Sequence, residues 1–404
     1  MSRPKLIRIL GRLTGGPARQ AALLHRKLAS DFETRLVAGS VCPGESDMTY
    51  LLNSNEHVLR VTEMSRELAL LSDVRAFWKI FRLLRAERPA VVHTHTAKAG
   101  ALGRLAAWMA GVPVIVHTYH GHVFYGYFSP LKSKIYLLIE QLLGFVSTKI
   151  IAISESQRVD LGTTYAVVPN EKIRVIPNGF NLQHFGTLKR EEARKEFGLR
   201  ADDFVLVWAA RMAPVKDVSL LAEVIRKQAE TKSKAYFLVV GDGVDKSKLE
   251  RQLHGCGNFK LLGWQDDMEK IWGAGDAALL TSRNEGTPCA LIEAMATGLP
   301  FVSTNVGGVK DLAVGPVRTL PDGMGLQAEN GFLTARTSEA LSYGIACLIE
   351  HPQVAEAMGA AGRSFVTRQF NDQRLLADLK LFYRDLIRDA LETEFVASGV
   401  EETA

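Results

Sequence analysis

Two carboxylates with seven residues between them, Glu285 and Glu293, bracket the stretch Gly286-Thr287-Pro288-Cys289. An apolar run at 277–280 leads into the polar loop holding Glu285, and Pro288 stands where a helix can begin without its missing N–H. Gly298 and Pro300 end that helix. Helical side chains lean toward the N-terminus, so Glu293, little more than one turn in, can share the space of the Glu285 loop. The free amides and the positive end of the helix dipole suit a phosphate. Fixed carboxylates would repel that anion unless they meet hydroxyl groups instead, which points to a ligand that is part phosphate and part sugar.

Further candidates lie earlier in the chain. Arg211 and Lys216 follow the apolar stretch 205–209. A guanidinium fork grips two phosphate oxygens and an ammonium adds a compact charge, although cations past a strand end are also often just solvated. His93 and His95 alternate onto one strand face, while His117, His120 and His122 surround the end of the next strand. A metal site could be built from such a group, but no Cys or paired acid stands with it. Packed or capped histidines remain the alternative.

The elements that must position these residues repeat one pattern. Residues 6–10 read as a strand, followed by a turn with Gly15 and Gly16 and an amphipathic helix at 18–28, the opening of a Rossmann-like half. Strands at 36–38, 91–95, 112–119 and 149–153 continue it, with helices at 72–87 and 98–110. After a charged link near 185–200 a second series runs through 205–209, 237–240, 260–262, 277–280 and 301–303. Alternation of this kind implies an α/β protein with parallel sheets covered on both faces. Ligands of such sheets bind outside the carboxyl ends of the strands. Gly241, beside Asp242 and Gly243, and Gly263 are expected at those ends, with Gly241 and Gly243 marking close backbone approach. Residues 316–330 read as an unusually long loop, and the last helix begins at Asp372.

The acid, seven-residue, acid arrangement, preceded by Ser282 and followed by Ala294-Met295-Ala296-Thr297-Gly298-Leu299-Pro300, resembles the signature of glycosyltransferase family 4. The resemblance implies the GT-B fold, two facing Rossmann-like doubly wound domains with an interdomain cleft. It divides the chain into an N-terminal acceptor-binding domain (1–185), a nucleotide-sugar-binding domain (186–370), a helix crossing back to the first domain (371–391) and a tail (392–404). By the same resemblance Glu293 holds the ribose and Glu285 lies near the transferred sugar, Arg211 and Lys216 hold the diphosphate, and His120 contacts the donor sugar. Gly15 and Gly16 face the donor phosphate, the backbone near Gly263 meets the base, and Gly286, Thr287, Pro288 and Cys289 complete the donor site. The implied reaction retains anomeric configuration. No Asp-x-Asp occurs, so a metal-independent enzyme without cofactor is expected.

Composition narrows the class. The chain of 404 residues is 47% hydrophobic and 23% charged, ordinary for a soluble globular protein of two domains. A net charge of +5 is too slight to imply nucleic acid. The four cysteines are far apart and read as reduced thiols of a cytoplasmic protein. No signal peptide or spanning run is expected, since the apolar stretch 135–146 is interrupted by Glu140 and Gln141. Phe77, Trp78, Lys79, Phe81, Arg82 and Arg85 form a basic, aromatic helix, and Phe128, Lys132 and Lys134 follow later. Such segments fit either a peripheral contact with the inner face of a membrane or a core-facing helix with a solvated basic side. A looser resemblance of the His93 and His120 regions to enzymes of capsule and O-antigen synthesis implies a UDP-linked hexose or N-acetylhexosamine donor and a sugar or polyprenyl-linked sugar acceptor. The alternatives are a nucleotide-sugar isomerase of the 2-epimerase type and a dinucleotide-dependent oxidoreductase, the latter disfavoured because Gly-x-Gly-x-x-Gly is missing.

Overall fold

Short apolar runs between glycine-rich turns become strands, and the amphipathic stretches become the helices that cover them. The structure, a computed structural model, describes residues 3–41, 47–52, 58–65, 69–121, 130–187 and 190–397. The chain divides into one unit of residues 1–179 with 372–404 and another of residues 180–371.

In the first unit β1 (Lys5–Leu10), α1 (Gly15–Lys27), β2 (Glu33–Ala38), β3 (Val58–Arg60), α2 (Leu70–Glu87), β4 (Val91–His95) and α3 (Ala97–Met109) are followed by β5 (Val114–Tyr119), α4 (Pro130–Phe145), β6 (Lys149–Ala152), α5 (Glu155–Val159) and β7 (Ile173–Val175). The sheet is parallel, in the order β3-β2-β1-β4-β5-β6-β7. Every residue of β4 and β5 is buried, as expected for strands covered on both faces. β3 has only three residues, too few for an alternating pattern to be read from sequence.

In the second unit come α6 (Arg190–Phe197), β8 (Phe204–Ala209), α7 (Val218–Glu230), β9 (Ala235–Val240), α8 (Lys246–Gln252), β10 (Phe259–Gly263), α9 (Met268–Ala274) and β11 (Ala277–Leu280). They continue with α10 (Cys289–Thr297), β12 (Phe301–Thr304), β13 (Arg318–Thr319), β14 (Gly325–Ala328), β15 (Gly331–Thr334), α11 (Ser338–Glu350) and α12 (Pro352–Gln369). Strand order is β10-β9-β8-β11-β12-β15-β14-β13. The long loop expected at 316–330 is instead a small meander: β13 pairs antiparallel with β14 and β14 with β15, which extends the edge of the sheet.

The chain then returns to the first unit as α13 (Asp372–Ala397). Leu375, Leu379, Tyr383 and Leu386 pack with Leu6, Val91, Val116 and Ile151 beneath the first sheet. Arg374 Nη2 donates to the carbonyls of Pro177 (2.6 Å) and Asn178 (2.9 Å), fixing the first turn of the helix.

Glu140, which interrupts an apolar run in the sequence, is an internal ion-pair partner. Its Oε2 accepts from Arg104 Nη2 and from Tyr119 Oη, each at 2.5 Å, and Arg104 is fully buried. Burial and this carboxylate push the Tyr119 phenol well above its ordinary range. The triad pins α4 to α3 and β5. Replacing Glu140 by Ala leaves a buried guanidinium uncompensated and should cost about 3–5 kcal/mol in urea unfolding. Leu138→Ala, on the solvent side of α4, should change stability by no more than ~0.5 kcal/mol. Equal effects of the two substitutions would contradict a structural role for the triad.

Candidate active site

Strand order in the second unit reverses between β8 and β11, which are neighbours although β9 and β10 intervene in sequence. The loops leaving their carboxyl ends carry Arg211 and Lys216 on one side and Glu285 on the other. Such a switch point opens a crevice because successive helices diverge to opposite faces. Hydrogen bonds lock the two loops together. Trp208 Nε1 donates to Thr281 Oγ1 (3.0 Å), Thr281 Oγ1 donates to the Lys216 carbonyl (2.9 Å), and Arg283 N donates to the Val215 carbonyl (2.8 Å).

Lys216 and Glu285 meet directly, Nζ to Oε1 at 2.5 Å, and Ser282 Oγ donates to the same oxygen at 2.5 Å. Glu285 Oε2 has no hydrogen-bond partner among the described residues. Arg211 is exposed and makes no ion pair among them. α10 begins after Pro288, which occupies the N-cap position, and no side chain caps the helix. Its first amides are therefore left for solvent or a ligand. Glu293 lies in the second turn and accepts from Trp272 Nε1 at 3.2 Å. Cys289 stands between the acids: burial first, then Glu293 and Glu285, push its thiol up to about 12, so it stays protonated and is no nucleophile.

Two glycine contacts set the loop shapes. A Cβ on Gly241 would stand 2.0 Å from the Ala210 carbonyl oxygen, and Gly241 N donates to the Gly263 carbonyl (2.8 Å) while Met212 N donates to that of Asp242 (2.8 Å). The backbone beside Arg211 is thereby held against the ends of β9 and β10. Gly308 N donates to the Glu285 carbonyl at 3.0 Å, and a Cβ on Gly308 would lie 1.8 Å from the Gly286 carbonyl oxygen.

In the first unit the reversal falls between β1 and β4. Gly15 and Gly16 open α1 after β1, with Gly15 at φ 72°. His120 follows β5, and its Nε2 lies 2.9 Å from His95 Nδ1. His93 lies against His95 with ring centroids 4.2 Å apart and the rings tilted by 36°, and its nitrogens meet Tyr383 Oη (2.5 Å) and Thr118 Oγ1 (2.7 Å). His117 points to the other face of the sheet, where Nδ1 meets Thr94 Oγ1 at 2.8 Å. It is therefore separate from the group with which the sequence associates it, and His122 lies outside the described residues. Among the described residues no cluster of three metal-ligating side chains occurs.

A family model described as Glycosyltransferase Family 4 matches residues 14–184, and one described as Glycosyl transferases group 1 matches residues 203–351. The chain is 32% identical over 277 residues to the UDP-Gal:alpha-D-GlcNAc-diphosphoundecaprenol alpha-1,3-galactosyltransferase of Escherichia coli, covering 66% of this chain and 71% of that one. The chain belongs to glycosyltransferase family 4. A second family member, the capsular polysaccharide biosynthesis glycosyltransferase CapM of Staphylococcus aureus, is 26% identical and is matched over 85% of this chain and 90% of its own. The fold of this glycosyltransferase is GT-B: HepE of Anabaena, solved in complex with UDP and glucose, superposes with TM-score 0.74 over 94% of this chain and 100% of that one at 20% identity. Membership of the family displaces the isomerase and oxidoreductase alternatives.

The second unit of the glycosyltransferase gathers Arg211, Lys216, Gly241, Gly263, Gly286, Thr287, Pro288, Cys289, Glu285 and Glu293 at the carboxyl ends of β8 to β11. Gly15, Gly16 and His120 stand at the corresponding ends in the first unit. Sequence reasoning missed three supports. Asp217 is buried and binds Arg283 Nε at 2.9 Å, bracing both loops. Trp272 orients Glu293, and the Gly307-Gly308 pair cradles the Glu285 backbone. The adjacent glycines after β12 were the visible signal for the last.

Two outcomes follow from this geometry. Gly308→Ala should displace the Glu285 loop and abolish most transfer, and an unchanged loop with full activity would contradict the cradle. Burial holds His93, His95 and His117 well below 6.5 and His120 at about 4, with Arg8 adding repulsion at His93 and His95. These histidines bind protons more readily when unfolded, so their contribution is complete above pH 6.5 and is lost as pH falls toward 4. Melting temperature should start to fall near pH 6.5, above the carboxylate range, and the fall should be shallower for His117→Leu.

Proposed function

We propose that this glycosyltransferase moves a hexosyl or N-acetylhexosaminyl group from a UDP-linked donor to a sugar or polyprenyl-linked sugar acceptor, with retention of configuration and without a metal. The observation that carries the reading is the meeting of Arg211, Lys216, Glu285 and the uncapped start of α10 at one switch point. Arg211 and the backbone amides of Gly286, Thr287 and Cys289 at the entry to α10 would hold the diphosphate, and Lys216 would share its charge between phosphate and Glu285. Glu293 would take the ribose hydroxyls, and Gly263 with Gly241 would let the base approach the backbone. Gly15, Gly16 and His120 would complete the donor site.

In the proposed reaction the bond from the anomeric carbon to the β-phosphate oxygen breaks, and the electron pair leaves with the diphosphate. The acceptor hydroxyl attacks from the same face, forms the new C–O bond and gives its proton to a leaving phosphate oxygen. Arg211, Lys216 and the helix amides are preorganised for the charge that grows on that oxygen. Glu285, through its unpartnered Oε2, would bind a sugar hydroxyl and face the developing oxocarbenium. A neutral His120, its proton position set against His95, would contact the sugar without adding charge.

Support for the donor and acceptor comes from the relatives: the Escherichia coli enzyme is named for a UDP-Gal donor and a diphosphoundecaprenol-linked acceptor, and the HepE structure contains UDP and glucose. A lipid-linked acceptor would put the enzyme at the cytoplasmic face of a membrane. Glu285→Gln should lower turnover by about 100-fold or more while UDP-sugar affinity measured by calorimetry is kept. Lys216→Ala should weaken that affinity. Parallel loss of binding and turnover in Glu285→Gln would refute its assigned role.

A further inference from the structure

We propose that the outward surface of α2, α3 and α4 in the first unit is the face with which the protein lies on an anionic lipid bilayer. The lipid-linked acceptor proposed for the enzyme is what would make such a face useful. The three connections β3 to β4, β4 to β5 and β5 to β6 all move in one direction across the sheet, so right-handed crossovers put α2, α3 and α4 on the same side. They pack side by side, α2 on α3 and α3 on α4.

α4 carries Leu131, Ile135, Leu138, Leu142 and Phe145 at helical spacing, all between 52% and 80% exposed. Its other side holds Glu140 and Leu143 in the interior, so the exposed stripe is not the one the fold needs. The helix has 16 residues and spans about 24 Å. Beside it α3 exposes Trp108 and Met109, and α2 exposes Leu71 and Trp78. Such a set of exposed large apolar side chains on three neighbouring helices marks an interaction face.

Charge selects the occupant. Arg75, Arg82 and Arg85 on α2 and Lys132 and Lys134 on α4 are exposed. The acids of the three helices are all engaged: Asp73 with Lys98, Glu87 with Lys5 and Glu140 with Arg104. The face therefore offers apolar side chains, two tryptophans and cations, with no carboxylate left unpaired among the described residues of the three helices. A second copy meeting this face about a two-fold axis would set cations against cations. An anionic bilayer satisfies both components, since apolar side chains enter the acyl boundary while lysine and arginine meet headgroups. Among the described residues no helix is long and apolar enough to cross a membrane, so the contact is one of lying on the surface.

The test is flotation of the full chain, without donor or acceptor, with phosphatidylcholine vesicles and with vesicles of equal parts phosphatidylcholine and phosphatidylglycerol. Binding to the anionic vesicles that weakens at high salt is expected. The exposed pair Leu138→Glu with Leu142→Glu should abolish it with an unchanged thermal melt. Lys132→Glu should reduce it by about fivefold. Transfer to a water-soluble acceptor should be unaffected in these variants, so a failed donor or acceptor assignment would show in that assay and not in flotation. Equal binding to both vesicle types, absence of binding, or a dimer in sedimentation that the leucine variants disrupt would each overturn the proposal.

Discussion

The contact between the Lys216 ammonium and the Glu285 carboxylate is the constraint on which the rest of the second unit depends. A carboxylate beside a phosphate-binding helix start is electrostatically costly unless a cation shares the space. Lys216 supplies that cation on a different strand exit, so the pair forms only when β8 and β11 lie side by side. Seen this way, the hydrogen bonds from Trp208 to Thr281 and from Thr281 to the Lys216 carbonyl are what keep a charged pair in register. Asp217 and Arg283 form a second bridge between the same loops a few residues away.

The first unit solves a different problem. It buries polar groups inside a parallel sheet whose strands are covered on both faces, and it matches several of them to one another, while the fully buried Arg8 guanidinium and His95 Nε2 make no hydrogen bond among the described residues. His93 is bonded at both ring nitrogens, His117 meets Thr94, and Glu140 accepts from Arg104 and Tyr119. Low polarity makes each such bond strong and each unpaired group costly. His120 then stands at the end of this buried interior, where desolvation disfavours the charged form of its ring. α13 belongs to the same arrangement, since Tyr383 closes the chain of bonds on His93.

Much of the architecture was legible because parallel sheets buried on both faces write themselves as apolar runs. The strands at 91–95, 205–209 and 277–280 could be read directly, and the turn residues around Pro288 and Gly298 marked α10. The meander at β13 to β15 was not legible, because two-residue and four-residue strands give no periodicity and their partner strand lies beyond a turn. Glu140 interrupts the apolar run 135–146 as read, and no helix among the described residues is long and apolar enough to cross a membrane, but its partner was not legible, because Arg104 lies on a different helix.

By itself the sequence determined the residue types at the site, the helix that presents its amides and the family that the signature around Glu285 and Glu293 resembles. Tertiary structure decided which of those residues touch. The separation of His117 from His93 and His95, the sharing of one Glu285 oxygen by Lys216 and Ser282, and the fit of Gly308 under Gly286 all depend on strand order and register. Chain-local patterns specify strands and helices through periodicity and turn chemistry. Contacts between residues tens of positions apart are specified only when the sheet is assembled, because strand neighbours are chosen by packing across the whole unit.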